Sequence, residues 1–63
     1  MPLIEITIIE GRSQEMKKDM MMNVTNAVAE SLNAKKESIR IVIREVSKDH
    51  WAVGGVPMSE LKR

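Results

Sequence analysis

The chain contains no cysteine, no phenylalanine and no tyrosine, and it has one tryptophan, one histidine, two prolines and three glycines. Each shortage excludes something. Without cysteine there is no disulfide framework and no thiolate metal site. The single histidine, His50, has no neighbours at metal-ligand spacing, so no metal site is expected. The absence of cysteine removes any Cys-His pair, and no Ser-His-Asp arrangement stands out around the single histidine. One aromatic residue does not make a base-stacking platform. A net charge of +1 supplies no strong attraction to nucleic acid or to a membrane surface. The chain does not open with a basic segment leading into an apolar run, and no stretch approaches transmembrane length. A cytoplasmic location is therefore expected.

What is present is a folded-chain composition, 43% hydrophobic and 30% charged. The 63 residues suffice for one small domain spanning 1–63. In chains this short, apolar burial and conformational entropy come close to cancelling. With disulfides and metals excluded, oligomerisation is the remaining source of stability.

Leu3 to Ile9 alternates as a strand, with Ile4, Ile6 and Ile8 on one face and Leu3, Glu5, Thr7 and Ile9 on the other. Glu10-Gly11 ends it, and Pro2 stands at its start, where a strand tolerates proline. Ser13 is placed as an N-cap, with Glu15 favourable to the dipole of the first turn. From Gln14 to Leu32 the period is helical: Met16, Met20, Val24, Ala27, Val28 and Leu32 form an apolar stripe, widened by Met21. Lys17 and Lys18 are expected in solvent, and Asn33 is a left-handed C-cap candidate. A second strand is expected over Ser38 to Val46, with Ile39, Ile41 and Ile43 on one face. Two strands joined by one long helix make a β-α-β unit, hence a parallel pair with a right-handed crossover. One helix covers one face of that pair; Leu3, Ile9, Val42 and Val46 on the other require a further partner. After a turn at Lys48-Asp49, an extended piece over His50 to Val53 meets the Gly54-Gly55 turn signal. The tail thus reads as a hairpin arm that packs on a neighbouring copy. The expected fold class is α+β: a small oligomeric β-α-β subunit with a C-terminal arm.

Most candidate chemistry has a plainer explanation. The run Met20-Met21-Met22 reads as adaptable core and interface filling. His50 flanks a turn, and Gly54-Gly55 has no phosphate-loop spacing around it. Pro2, Arg12 and Arg40 remain. Initiator methionine is usually removed when proline follows, so loss of Met1 is expected to leave Pro2 as a free secondary amine. An α-amino group begins near pKa ~8. Neighbouring cations and an apolar wall disfavour its charged form, which suits it to general-base work near neutrality. Arginines supply permanently charged, forked donors for carboxylates. An amine base beside two arginines suits an acidic keto or enol substrate, with the cations holding a carboxylate and a developing enolate.

P-L-I-E-I-T-I-I-E-G-R-S at the start, S-I-R-I-V-I in the second strand and K-D-H-W-A-V-G-G in the tail together resemble the 4-oxalocrotonate tautomerase family across essentially the whole chain. The resemblance implies subunits assembled as a hexamer of three dimers. It also implies cofactor-free isomerisation of 2-hydroxymuconate, a small dicarboxylate of aromatic catabolism, to its conjugated 2-oxo isomer. Pro2 would take the 2-hydroxyl proton and return one to C5. Arg12 would hold the distal carboxylate. Arg40, from a neighbouring subunit, would hold the 2-oxygen and the C1 carboxylate end. Trp51 would form the apolar wall that keeps the amine neutral, with Ile9 and Ser38 as further lining residues. A member of that family carries phenylalanine where Trp51 stands and glycine where Ala52 and Asp49 stand. Those departures bear on pocket volume and substrate range rather than on the base and its arginines. Two alternatives remain open. Either the same site acts on another 2-hydroxydienoate or an aryl enolpyruvate, or the chain is a non-catalytic oligomeric small-ligand-binding module.

Overall fold

The computed structural model describes residues 1–61, and its framework is a strand, a helix and a second strand. β1 (Leu3–Ile9) leads into α1 (Gln14–Leu32), which returns the chain to β2 (Arg40–Val46). β1 and β2 pair in parallel, with Leu3 opposite Arg40 and Ile9 opposite Val46. A 3₁₀ turn over Lys48–His50 then leads to the short antiparallel strands β3 (Ala52–Val53) and β4 (Val56–Pro57), followed by a last 3₁₀ turn at Met58–Glu60. Gly54 and Gly55 both have positive φ, 61° and 85°, as a two-residue hairpin turn requires.

Both helix ends form where the sequence places them. Ser13 accepts from the Met16 N–H at 3.2 Å, satisfying a donor that the first turn leaves free. Asn33 takes the left-handed conformation at φ 52°, and Ala34 N–H closes back on the Ala29 carbonyl at 3.0 Å. The inward face of α1 is rotated from the expected stripe. Lys17, Met20, Met21, Val24, Thr25, Val28 and Ala29 are partly buried, whereas Met16, Ala27 and Leu32 are exposed.

Lys17 reverses the expectation of a solvated lysine. Its side chain is only 16% exposed, and Nζ meets Glu45 Oε1 at 2.9 Å. The reason lies in β2, where Glu45 falls in phase with Ile41 and Ile43 and so points towards the helix. Lys17 lays its methylene stem along the apolar surface and brings its ammonium to that carboxylate.

β2 also begins later than expected, at Arg40 instead of Ser38. Lys36–Ser38 turns tightly: the Ser38 and Ile39 N–H groups donate to the Lys35 and Lys36 carbonyls, each at 3.0 Å. Donors committed locally cannot extend a ladder. Likewise His50 belongs to a turn rather than to a strand, because Ser47 accepts from the Asp49 N–H at 3.1 Å and winds the chain there.

Among the described residues Ile39, at 8% exposure, is the only buried hydrophobic residue. The chain exposes 5091 Å², against about 4,100 Å² for a self-sufficient globule of its mass. Its radius of gyration is 14.9 Å, where a compact chain of this length has about 11 Å. Leu3 and Val42 stand open on the sheet face away from α1. A β-α-β unit with its arm held away and one sheet face bare has the shape of a subunit.

Candidate active site

Pro2 is partly buried at the entry to β1, and its carbonyl accepts the Arg40 N–H at 3.0 Å. The parallel register therefore sets Pro2 and Arg40 side by side at one end of the sheet. The Arg40 guanidinium is steadied by main-chain carbonyls: Nη1 donates to Glu37 O at 2.6 Å and approaches Ile39 O at 3.5 Å. Carbonyls fix a guanidinium without cancelling its charge, so Arg40 keeps a full positive charge and further donors for an anion. Among the described residues it pairs with no carboxylate. Glu5 instead meets Arg44, at 2.6 Å, on the face away from the helix.

Arg12 is held in the same manner at the other end. Its Nη1 donates to the Ile9 carbonyl at 3.1 Å and its side chain is exposed. Its loop is anchored on both sides, by Glu10 N–H on the Val46 carbonyl at 2.9 Å and by the Ser13 cap. Gly11 makes the sharp turn between them at φ 127°. β1 itself separates Arg12 from Pro2: Leu3 to Ile9 spans about 20 Å at ~3.3 Å per residue.

Trp51 is partly buried at the root of the arm. Because β2 runs parallel to β1, the arm departs from the Arg12 end of the sheet rather than from the Pro2 end. Ile9 contributes the carbonyl that steadies Arg12, while its side chain lies on the open sheet face. Ser38 is partly buried beside Arg40, and its hydroxyl donates to the Lys35 carbonyl at 2.7 Å.

The candidate residues thus fall into two groups at opposite ends of a two-stranded sheet. Pro2, Ser38 and Arg40 gather at one end; Ile9, Arg12 and the Trp51 arm gather at the other. The Lys17–Glu45 pair, which sequence reasoning missed, lies at the second end and ties α1 to β2. Its signal was the phase of Glu45 along β2. A depression on the first turns of α1 is lined by Glu15, Lys18 and Asp19. Among the described residues no group of His, Asp and Glu side chains is arranged to hold a metal, and no helix is long and apolar enough to cross a membrane.

Comparison with known proteins decides the family. The model of the tautomerase enzymes matches residues 2–61, nearly the whole chain. The chain belongs to the tautomerase family. It is 50% identical over 60 residues to a probable tautomerase of Staphylococcus epidermidis, an alignment covering 95% of this chain and 98% of that one. It is 41% identical over 63 residues, the full length of both, to a 2-hydroxymuconate tautomerase of a Pseudomonas species. Among solved structures, a chain of a heterohexamer 4-oxalocrotonate tautomerase from Chloroflexus aurantiacus superposes with a TM-score of 0.93 at 39% identity, with 98% of this chain and 100% of that one covered. The β-α-β subunit with its C-terminal hairpin is the tautomerase fold, and the activity of this tautomerase is that of an isomerase.

Proposed function

We propose that the chain is a cofactor-free enol–keto tautomerase of small dicarboxylates such as 2-hydroxymuconate, working in the cytoplasm in the breakdown of aromatic compounds, with Pro2 as the base. The observation that carries this reading is the pairing at the sheet end: Pro2 bonded through its carbonyl to Arg40, whose guanidinium keeps its charge free. Once Met1 is removed, the Pro2 nitrogen is an amine on a rigid strand entry. It takes the proton from the 2-hydroxyl as the oxygen becomes a carbonyl. The double bonds shift along the dienol, and the same nitrogen returns a proton to C5. Nothing is oxidised or reduced, and proton transfer with charge stabilisation is all the step needs.

The two groups of residues call for assembly. A small dicarboxylate cannot span the sheet of one chain, so the Arg12 guanidinium at Pro2 comes from another copy. Arg40 of a neighbouring subunit holds the 2-oxygen and C1 end, beside the chain's own. Trp51 of an adjoining arm supplies the apolar wall. A homohexamer of three dimers satisfies these demands and covers the bare sheet face.

A second version of the same chemistry uses another 2-hydroxydienoate or an aryl enolpyruvate. An indole is a large group with one N–H to satisfy, so Trp51 bears on pocket volume and hence on which of these the site takes. Steady-state comparison of 2-hydroxymuconate, 2-hydroxy-2,4-pentadienoate and phenylenolpyruvate ranks the substrates. Intact mass establishes that Met1 has been removed, and Pro2→Ala then tests the base. A sharp loss of turnover with the assembly retained supports the proposal. Equal activity would make Pro2 a strand opener and place the base elsewhere, while no turnover by the processed, unaltered protein would leave a binding module.

A further inference from the structure

The arm closes on itself through a contact that neither the fold nor the proposed reaction explains. Ser59 Oγ donates to Asp49 Oδ1, a hydroxyl–carboxylate hydrogen bond. Asp49 is itself fixed at its main chain, its N–H donating to Ser47 Oγ at 3.1 Å. One step further along, Met58 N–H donates to the Trp51 carbonyl at 2.7 Å, and the ladder continues through Ala52 opposite Pro57 and Val53 opposite Val56. Asp49 and Ser59 thus join the two 3₁₀ turns that flank the hairpin, and Trp51 lies inside the closed ring. Among the described residues, this is the side-chain hydrogen bond linking those two turns.

The arm needs such a closure. Its strands have two residues each, too few for a hairpin to hold its shape alone. The turn at Lys48–His50 packs chiefly on Met58–Glu60 and on β4, within the arm itself. The main chain on either side of Trp51 is therefore held by the arm's internal bonds.

We propose that Asp49 and Ser59 form a latch that positions Trp51 and so decides how large a substrate group the site admits. This rests on the reading of Trp51 as a wall of the active site. With the latch closed the indole is held in place, and a slender dicarboxylic dienol is preferred. With it open the ring swings, and a bulky aryl enol is admitted at less disadvantage. Asp49 and Ser59 are positioning residues and touch no substrate.

Trp51 is the only tryptophan in the chain, so its fluorescence reports the arm directly and independently of catalysis. The test compares the Met1-processed protein with Ser59→Ala, Asp49→Ala, the double variant and Ser59→Thr, which keeps the hydroxyl. Acrylamide quenching of Trp51 is expected to rise about twofold in either alanine variant, as local opening exposes the ring, and no further in the double variant. The ratio of kcat/KM for the dicarboxylic dienol over the aryl enol is expected to fall about fivefold, the effect of one lost hydrogen bond. Ser59→Thr should restore both values. Unchanged quenching in the alanine variants, or a threonine variant that behaves as alanine does, overturns the latch. If the unaltered protein turns over neither substrate, the tautomerase reading of the site falls, while the quenching constants still decide the latch.

Discussion

The main-chain N–H of Arg40 donates to the carbonyl of Pro2 at 3.0 Å, while the Arg40 side chain turns to the carbonyl of Glu37. Structure and proposed chemistry are thereby divided between two parts of one residue. Truncating the side chain leaves the ladder bond to Pro2 intact. Arg40→Ala should therefore lower kcat/KM by on the order of a hundredfold or more, as loss of a charge-stabilising donor does, with little change in thermal stability. Kinetics alongside calorimetry check this, and unfolding of the variant would make Arg40 a structural residue.

Among the described residues, Arg12 is fastened only to the carbonyl of Ile9 within its own loop. Arg12→Ala should raise KM for a dicarboxylate roughly 10- to 100-fold, the worth of charge-assisted hydrogen bonds to a carboxylate. The effect on a monocarboxylic enol should be small. Comparing the two substrates reads the difference, and equal losses on both would place Arg12 elsewhere than on the distal carboxylate.

Gly11 orients that loop. At φ 127° it occupies backbone space that side chains rarely adopt, although a Cβ there would meet nothing within 4 Å. The cost of Gly11→Ala is therefore conformational, ~1–3 kcal/mol. It should appear as a lower Tm at fixed protein concentration, with KM for the dicarboxylate rising as Arg12 is displaced.

The Lys17–Glu45 pair fastens the start of α1 to the end of β2. Being partly shielded, it should contribute about 1 kcal/mol, at the upper end for such pairs. A double-mutant cycle of Lys17→Met and Glu45→Gln in urea denaturation isolates the coupling. Zero coupling energy would mean that the pair merely coexists with the packing.

These contacts show how much of the molecule its sequence discloses. The β-α-β framework was legible because Ile4, Ile6 and Ile8 alternate with polar residues, Ile39, Ile41 and Ile43 repeat the pattern, and Ser13 and Asn33 cap the helix between. Pro2, Arg12 and Arg40 stood out as chemistry, but their distribution between the two sheet ends appears only once the strands are paired. Lys17 was misplaced because a lysine on a helix reads as solvated until Glu45 is recognised on the helix-facing side of β2. Ser38 fell outside β2 because local turn bonds outcompeted the ladder. Asp49 and Ser59, ten residues apart in a tail without periodicity, gave no signal that they meet.

The central claim is that the Pro2 nitrogen is a free and neutral amine at working pH. Nitrogen-15 NMR titration of that nitrogen, in protein whose intact mass shows Met1 removed, tests it most directly. The account predicts deprotonation with a midpoint near or below pH ~7, lower than the ~8 of an ordinary α-amino group. A nitrogen still blocked by Met1, or one that stays protonated well above pH ~8, would contradict it.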